Sequence, residues 1–356
     1  MFNNNVKRIG FCCKYLDSDQ TQKPKVLKEI QQNYTERQTT VAWCNRQDRD
    51  VAEQRLLEIA THNMQSAFNL VDYASKLPEG RRMVRLGSNQ IPMATEPNWR
   101  YVFEDKTVLS QLERGFRRIG DHARERDVKL SFHPGQFCVL ASDKPDVVER
   151  SIDEFEYHAN MVRWMGFGKE FMDFKTNVHI SGRQGYQGII NKLDKLSPEA
   201  RNTIAIENDE MCWGLDESLQ LEKHVALVLD IHQHWIRDEE YIQANDDRVK
   251  RVIDSWRGVR PTLHYSYSRD EWLPEPSVLG ANHQHGDMHD INNLLDVGCK
   301  KQKLRAHSDF YPNEQVNDWA LSFWQDFDIQ CEAKAKNLAS KQLYEQAIDL
   351  KLCQTT

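Results

Sequence analysis

A chain of 356 residues, 39% hydrophobic and 28% charged, has the composition of a globular protein and exceeds the usual single domain unless its elements close into one large barrel. The net charge of −7 and isoelectric point near 6.0 argue against a protein that coats nucleic acid through broad electrostatics, although local basic clusters exist at Arg81-Arg82, Arg85 and Arg114 to Arg118. No apolar run approaches the ~18 residues of a membrane span, the N-terminal MFNNNVKRIG lacks the apolar core of a signal peptide, and eight scattered cysteines without a C-x-x-C pair point to a reduced, cytoplasmic protein.

Taken in chain order, short apolar runs alternate with long amphipathic stretches. RIGFCC (8–13) reads as a first strand. A polar loop over 17–47 follows, then a helix over 50–76 in which Leu56, Ala60, Met64 and Ala67 recur three or four apart. MVRLGS (83–88) predicts a second strand with a helix over 108–126, and KLSFH (129–133) a third, stopped by Pro134-Gly135, with a helix over 145–165. NVHIS (177–181), TIAIEN (203–208), ALVLD (226–230) and TLHYS (262–266) continue the series. An insertion over 268–306 precedes a helix over 313–325, the strand DIQCEAK (328–334) and a last helix over 335–352. Eight such units predict a parallel sheet closed into a (β/α)8 TIM barrel, with residues 1–356 as one domain.

In such barrels the C-terminal strand ends and the loops after them build the active site. Those ends carry His133, His179, Glu207, Asp230, His264 and Glu332. A lone histidine there is more often structural than a ligand. Six imidazoles and carboxylates converging on one mouth are different, because carboxylates packed without a cation repel and resist ionisation. A divalent metal resolves that cost, and mixed imidazole and carboxylate donors favour zinc, manganese or iron over calcium. One ion takes three or four protein ligands, so this set predicts two to three, an arrangement suited to phosphoryl chemistry.

The stretches RIGFCC, RLGSNQIPMATEP, LSFHPGQFCVLAS, VVERS, NVHISG, IENDE, LVLDIHQHW, LHYS, AHSDFY and CEAKAK together resemble the UV damage endonuclease family, relatives of the endonuclease IV type apurinic nucleases. The resemblance spans residues 7 to 336 and implies a barrel with a trinuclear metal site that nicks damaged double-stranded DNA immediately 5′ of ultraviolet photoproducts. It implies His133, His179, Glu207, Asp230, His264, His307 and Glu332 as metal ligands, with Glu207 bridging two ions and Glu207, Asp230 and Glu332 positioning them for catalysis. Gln136 and Phe137 match residues that wedge into the duplex, and Phe11 a lesion-pocket position; Lys334, two residues past Glu332, is read from its place as contacting phosphate or supporting that carboxylate. The expected cofactors are two to three divalent ions, manganese ahead of zinc or magnesium. No organic cofactor or membrane partner is expected, and the chain is taken as a monomer.

The chain departs from that pattern at four places. Glu96 and Gln233 stand where ligand histidines are expected, Thr262 where a lysine is common, and Tyr15 where a small polar residue is usual. Glu96 and Gln233 are retained as weaker candidate ligands, and His232 and His234 are neighbouring imidazoles that would substitute. His283, His285 and His289 read as a solvated polar loop, and Trp99 and Trp213 as packing residues able to stack on bases. Two other readings use the same residues: a metal-dependent sugar isomerase or epimerase on a related barrel, and a non-catalytic damage binder.

Overall fold

The computed structural model describes residues 2–279, 284 and 286–352. Eight parallel strands run β1 (Ile9–Cys12), β2 (Met83–Arg85), β3 (Lys129–Phe132), β4 (Lys175–His179), β5 (Ile204–Glu207), β6 (Ala226–Val228), β7 (Thr262–Tyr265) and β8 (Asp328–Cys331). They are hydrogen-bonded in the order β6-β5-β4-β3-β2-β1-β8-β7. The ring closes between β6 and β7, where the His264 amide donates to the Leu229 carbonyl at 2.9 Å and Asp230 bridges to His264. The chain is a (β/α)8 barrel.

The outer layer is formed by α1 (Arg49–Ser75), α2 (Lys106–Glu125), α3 (Pro145–Trp164), α4 (Gly185–Leu193), α5 (Ile231–Asp238), α6 (Asp247–Ser255), α7 (Glu314–Ser322) and α8 (Lys336–Asp349), joined by shorter turns. The stripe predicted for α1 is its buried face, with Leu56, Ala60, Leu70 and Val71 inside; each leucine or valine there contributes about 1.5–3 kcal/mol of burial. Asp105 caps α2 by accepting from the Thr107 and Val108 amides, Pro145 opens α3, and Asn313 caps α7, each supplying what a first helical turn lacks.

Parity along the strands decides what enters the barrel. Contacts between non-adjacent strands mark the inward set: Lys129 of β3 reaches Asp328 of β8 at 2.8 Å, and Lys175 of β4 reaches His264 of β7 at 2.8 Å. The outward set, such as Ile204, Ile206, Leu227 and Ile329, packs under the helices. β4 starts two residues before the predicted strand, because inward-facing Lys175 is a charge that interrupts the apolar pattern. The loop over 17–47 contains a helix, Pro24–Gln31, that buries no residue. The insertion over 268–306 is partly structural. Its Ile291, Leu294 and Leu304 pack on Trp235 and Ile236 and so brace α5. His283 and His285 lie outside the described residues. No described helix is long and apolar enough to cross a membrane, and the seven cysteines among the described residues are free.

Candidate metal centre

Glu207, the last residue of β5, is fully buried at the centre of the mouth. Its Oε2 accepts from Asn177 Nδ2 at 2.6 Å and lies 3.2 Å from His133 Nε2. Its Oε1 accepts from Gln233 Nε2 at 3.0 Å and lies 2.9 Å from His264 Nδ1. Candidate ligand atoms form two groups, each within 4.8 Å: His133, His179 and Glu207, and Glu207, Asp230, His264 and Glu332. Glu207 belongs to both.

The strand ends explain each position. His133 follows β3, and Ser88 Oγ donates to its backbone carbonyl. Its Nδ1 lies 2.9 Å from the Pro134 carbonyl. A carbonyl only accepts, so Nδ1 carries the proton and Nε2 is left as the donor atom facing Glu207. His179 ends β4, with Nδ1 3.3 Å from Asp209 Oδ2. Gly182, just beyond, has φ +96°, and a Cβ there would lie 2.4 Å from the Ala141 carbonyl, so the turn after β4 requires glycine. Asp230 doubles as the N-cap of α5, accepting from the Gln233 amide at 2.8 Å.

The electrostatics indicate a missing positive charge. Burial disfavours ionised Glu207, yet His264 and His179 hold its carboxyl well below the usual range. Burial, Glu207 and Glu332 together push Asp230 well above it. Glu332 is also buried, but Arg85, whose Nη1 donates to Oε1, keeps it low. Burial, aided by Lys175, drives His264 down to about 4, and burial lowers His133. Burial opposes charge on His179, but Glu207 and Asp209 lift it to about 9. Three carboxylates thus compete for too few cations, and neutral His133 turns a lone pair toward a carboxylate 3.2 Å away. Divalent cations satisfy both features, so the residues fit metal ions.

Other expected site residues are placed differently. His307 sits beside the centre with Nδ1 3.2 Å from the Glu332 carbonyl, but belongs to neither ligand group. Glu96 is half-buried, its Oε1 taken by Asn98 Nδ2 at 3.0 Å, and it too is outside both groups. Gln233 is central, but as a hydrogen-bond donor. His232 is held between Ser266 Oγ at 2.8 Å and Ser268 Oγ at 3.1 Å. His234 lies 2.8 Å from Asp238 and 3.1 Å from Glu240. Neither replaces an imidazole at 233. Phe11 requires a correction: it shares the outward parity of β1, is fully buried and packs edge-on against Tyr73 of α1 at 5.8 Å. It therefore lies under the helices and not at the mouth.

Gln136 and Phe137 do stand on the rim, in the loop after β3, with Phe137 84% exposed. Lys334 is exposed at the end of β8, its amide donating to the Ser308 carbonyl at 2.9 Å. Trp99 is buried and donates to Asn45 at 2.9 Å, and Trp213 donates to the Gly182 carbonyl at 2.7 Å, so both indoles are engaged within the fold. Three interior residues escaped sequence reasoning: Arg85, Lys175 and Asn177. Lys175, Asn177 and His179 alternate along β4, and that alternation was the available signal.

The sequence model of the family described as UV-endonuclease UvdE matches residues 8–354. The chain belongs to the UV-endonuclease UvdE family. As a member it is an endonuclease, a hydrolase acting on DNA. Relatives include a UV DNA damage endonuclease of Bacillus pumilus, 27% identical over 67% of this chain and 72% of that protein. Another, from Bacillus velezensis, is 24% identical over 86% and 87%. The crystal structure of SacUVDE superposes with a TM-score of 0.69 over 97% of this chain and 99% of that one at 21% identity, which is likeness of fold.

Proposed function

We propose that this UvdE-family chain is a metal-dependent DNA repair endonuclease that hydrolyses the phosphodiester 5′ of cyclobutane dimers and 6-4 photoproducts. The observation that carries this reading is the buried carboxylate Glu207 shared by two ligand groups, beneath a rim bearing the exposed Phe137. His133, His179, Glu207, Asp230, His264 and Glu332 would hold divalent ions, manganese first among the candidates, with His307 in reserve beside Glu332. When bound, such ions supply Lewis-acid activation of water and stabilise charge on the scissile phosphate.

The chain's own residues do the rest. Asn177 and Lys175 fix Glu207 and His264, and Arg85 fixes Glu332. Gln136 and Phe137 enter the duplex, where a damaged step costs least to unstack. Lys334 is suited to a backbone phosphate. In the reaction, water oxygen bonds to phosphorus, the P–O3′ bond breaks and the water proton ends on the 3′ oxygen, leaving 3′-hydroxyl and 5′-phosphate. The acidic chain is compatible with this, because bound cations offset charge where the phosphate must approach.

The test is nicking of supercoiled plasmid, irradiated or not, with manganese and with or without EDTA. Nicking of irradiated plasmid alone, blocked by EDTA, is expected. A folded, metal-loaded chain that leaves irradiated plasmid intact sinks this reading and returns the sugar-isomerase or damage-binder alternatives.

A further inference from the structure

We infer that the centre holds two divalent ions, and that the side-chain amide of Gln233 stands where a third cation would otherwise bind. The inference rests on the metal-centre reading above and concerns this chain's own departure from a three-ion site.

Gln233 Nε2 lies 3.0 Å from Glu207 Oε1 and 3.0 Å from Asp230 Oδ2, so one NH2 group is divided between two carboxylates. An amide has two such hydrogens, and both point into the negative centre. Among the described residues its Oε1 has no partner, so the donors alone orient the amide. Helix geometry fixes the position. Asp230 is the N-cap of α5, which makes Gln233 the third helical residue, and a side chain there reaches back over the cap. The backbone amide of Gln233 completes the clamp on Asp230 Oδ1 at 2.8 Å. Each carboxylate oxygen keeps a second lone pair for an ion of the two ligand groups.

The residues that would have to hold a third ion are committed elsewhere. His232 is bonded to two serines, and His234 is paired with Asp238 and Glu240. Glu96 is turned to Asn98, and His307, whose Nδ1 faces the Glu332 carbonyl, lies outside both ligand groups. The charge of a third ion is also partly supplied already. Arg85 is paired with Glu332 inside the same barrel. A donor amide and the Arg85 guanidinium thus stand in place of one divalent ion and its imidazole.

The experiment is a metal count. The full chain is loaded with excess manganese, gel-filtered and measured by inductively coupled plasma mass spectrometry, with folding checked by circular dichroism. Two manganese per chain are expected for the wild type. Gln233→His exchanges the donor amide for a ligand and should raise the count to three. Gln233→Glu, nearly isosteric, removes both donors and adds a carboxylate. It should also raise the count, and its melting temperature should fall further on EDTA treatment than that of the wild type. A wild-type count other than two, or an unchanged count in whichever variants fold, overturns the inference. The count uses no DNA. A two-ion protein that leaves irradiated plasmid uncut sinks the proposed activity alone, and a nicking enzyme with three ions sinks this inference alone.

Discussion

At the N-terminal end of the barrel, Asp328 is fully buried and accepts from Lys129 Nζ at 2.8 Å, Arg260 Nε at 2.9 Å and the Arg8 amide at 2.8 Å. Trp256 closes that end, with Lys129 Nζ 5.7 Å from its ring centroid. At the C-terminal end, Glu207, Asp230 and Glu332 are buried with Arg85, Lys175 and lowered histidines for company. The bottom has one acid and two basic side chains, so its charges are answered from within. Burial acts to raise Asp328, but Lys129 and Arg260 hold it below its ordinary value. The mouth has more anions than reliable cations, and Asp230 is driven up instead. Similar residue types therefore serve opposite ends. A carboxylate answered by fixed bases is costly to remove, whereas a surplus of carboxylates suits an external cation.

The largest expected effect tests the bottom. Asp328→Ala leaves buried Lys129 and Arg260 uncompensated and should cost about 3–5 kcal/mol in urea unfolding, with or without manganese. A loss under about 1 kcal/mol would mean that solvent or repacking already balances those charges. Glu207→Gln tests the mouth. It should lower nicking of irradiated plasmid by roughly 10²–10³ or more, while the metal-free protein loses less stability than Asp328→Ala, because the lost contacts of Glu207 are offset by relief of its repulsion with Asp230. Destabilisation of metal-free Glu207→Gln like that of Asp328→Ala would erase the distinction between the two ends.

Metal removal comes next. Saturating manganese should raise stability by about 2.7 kcal/mol at a hundredfold excess over Kd, read as a melting-temperature shift. The sign with pH follows from the two aspartates. The contribution of Asp328, depressed in the fold, is present above the unfolded value of 3.8 and lost as pH falls through the folded one. Asp230, raised in the fold, costs stability as pH rises above 3.8 through its folded value, until a cation is bound. The manganese shift should therefore be larger at pH 8 than at pH 5, and equal shifts would count against the carboxylate surplus. Smaller still, Lys175→Met should weaken manganese binding by about 10–100-fold through loss of the contact that orients His264, measured by calorimetry. Phe137→Ala should leave the melting temperature nearly unchanged, within about 0.5 kcal/mol, while lowering the preference for irradiated over intact plasmid.

Much of the centre was legible because its residues interrupt apolar runs. His133, His179, Glu207, Asp230, His264 and Glu332 each lie at or just beyond the C-terminal end of a strand, and polarity at that place is a strong signal in a barrel. Phe11 was misplaced for the converse reason. Barrel strands are buried on both faces, so the strand IGFC carries no polar marker of which parity turns inward. Lys175 went unread because a charge at the start of an apolar run looks like a boundary. In the fold it is an interior residue spanning from β4 to β7.

The sequence by itself determined the alternation of strands and helices, the eightfold count and the set of ligand types at the strand ends. These follow from local periodicity and from where polar residues break it. Tertiary structure alone decided that Glu207 joins two ligand groups, that Arg85 and Lys175 share its interior, that Gln233 turns donors and not a ligand atom to the carboxylates, and that Asp328 is answered by Lys129 and Arg260. Each of these depends on side chains meeting across the closed barrel from strands far apart in sequence. Closure sets that register, and no local pattern encodes it.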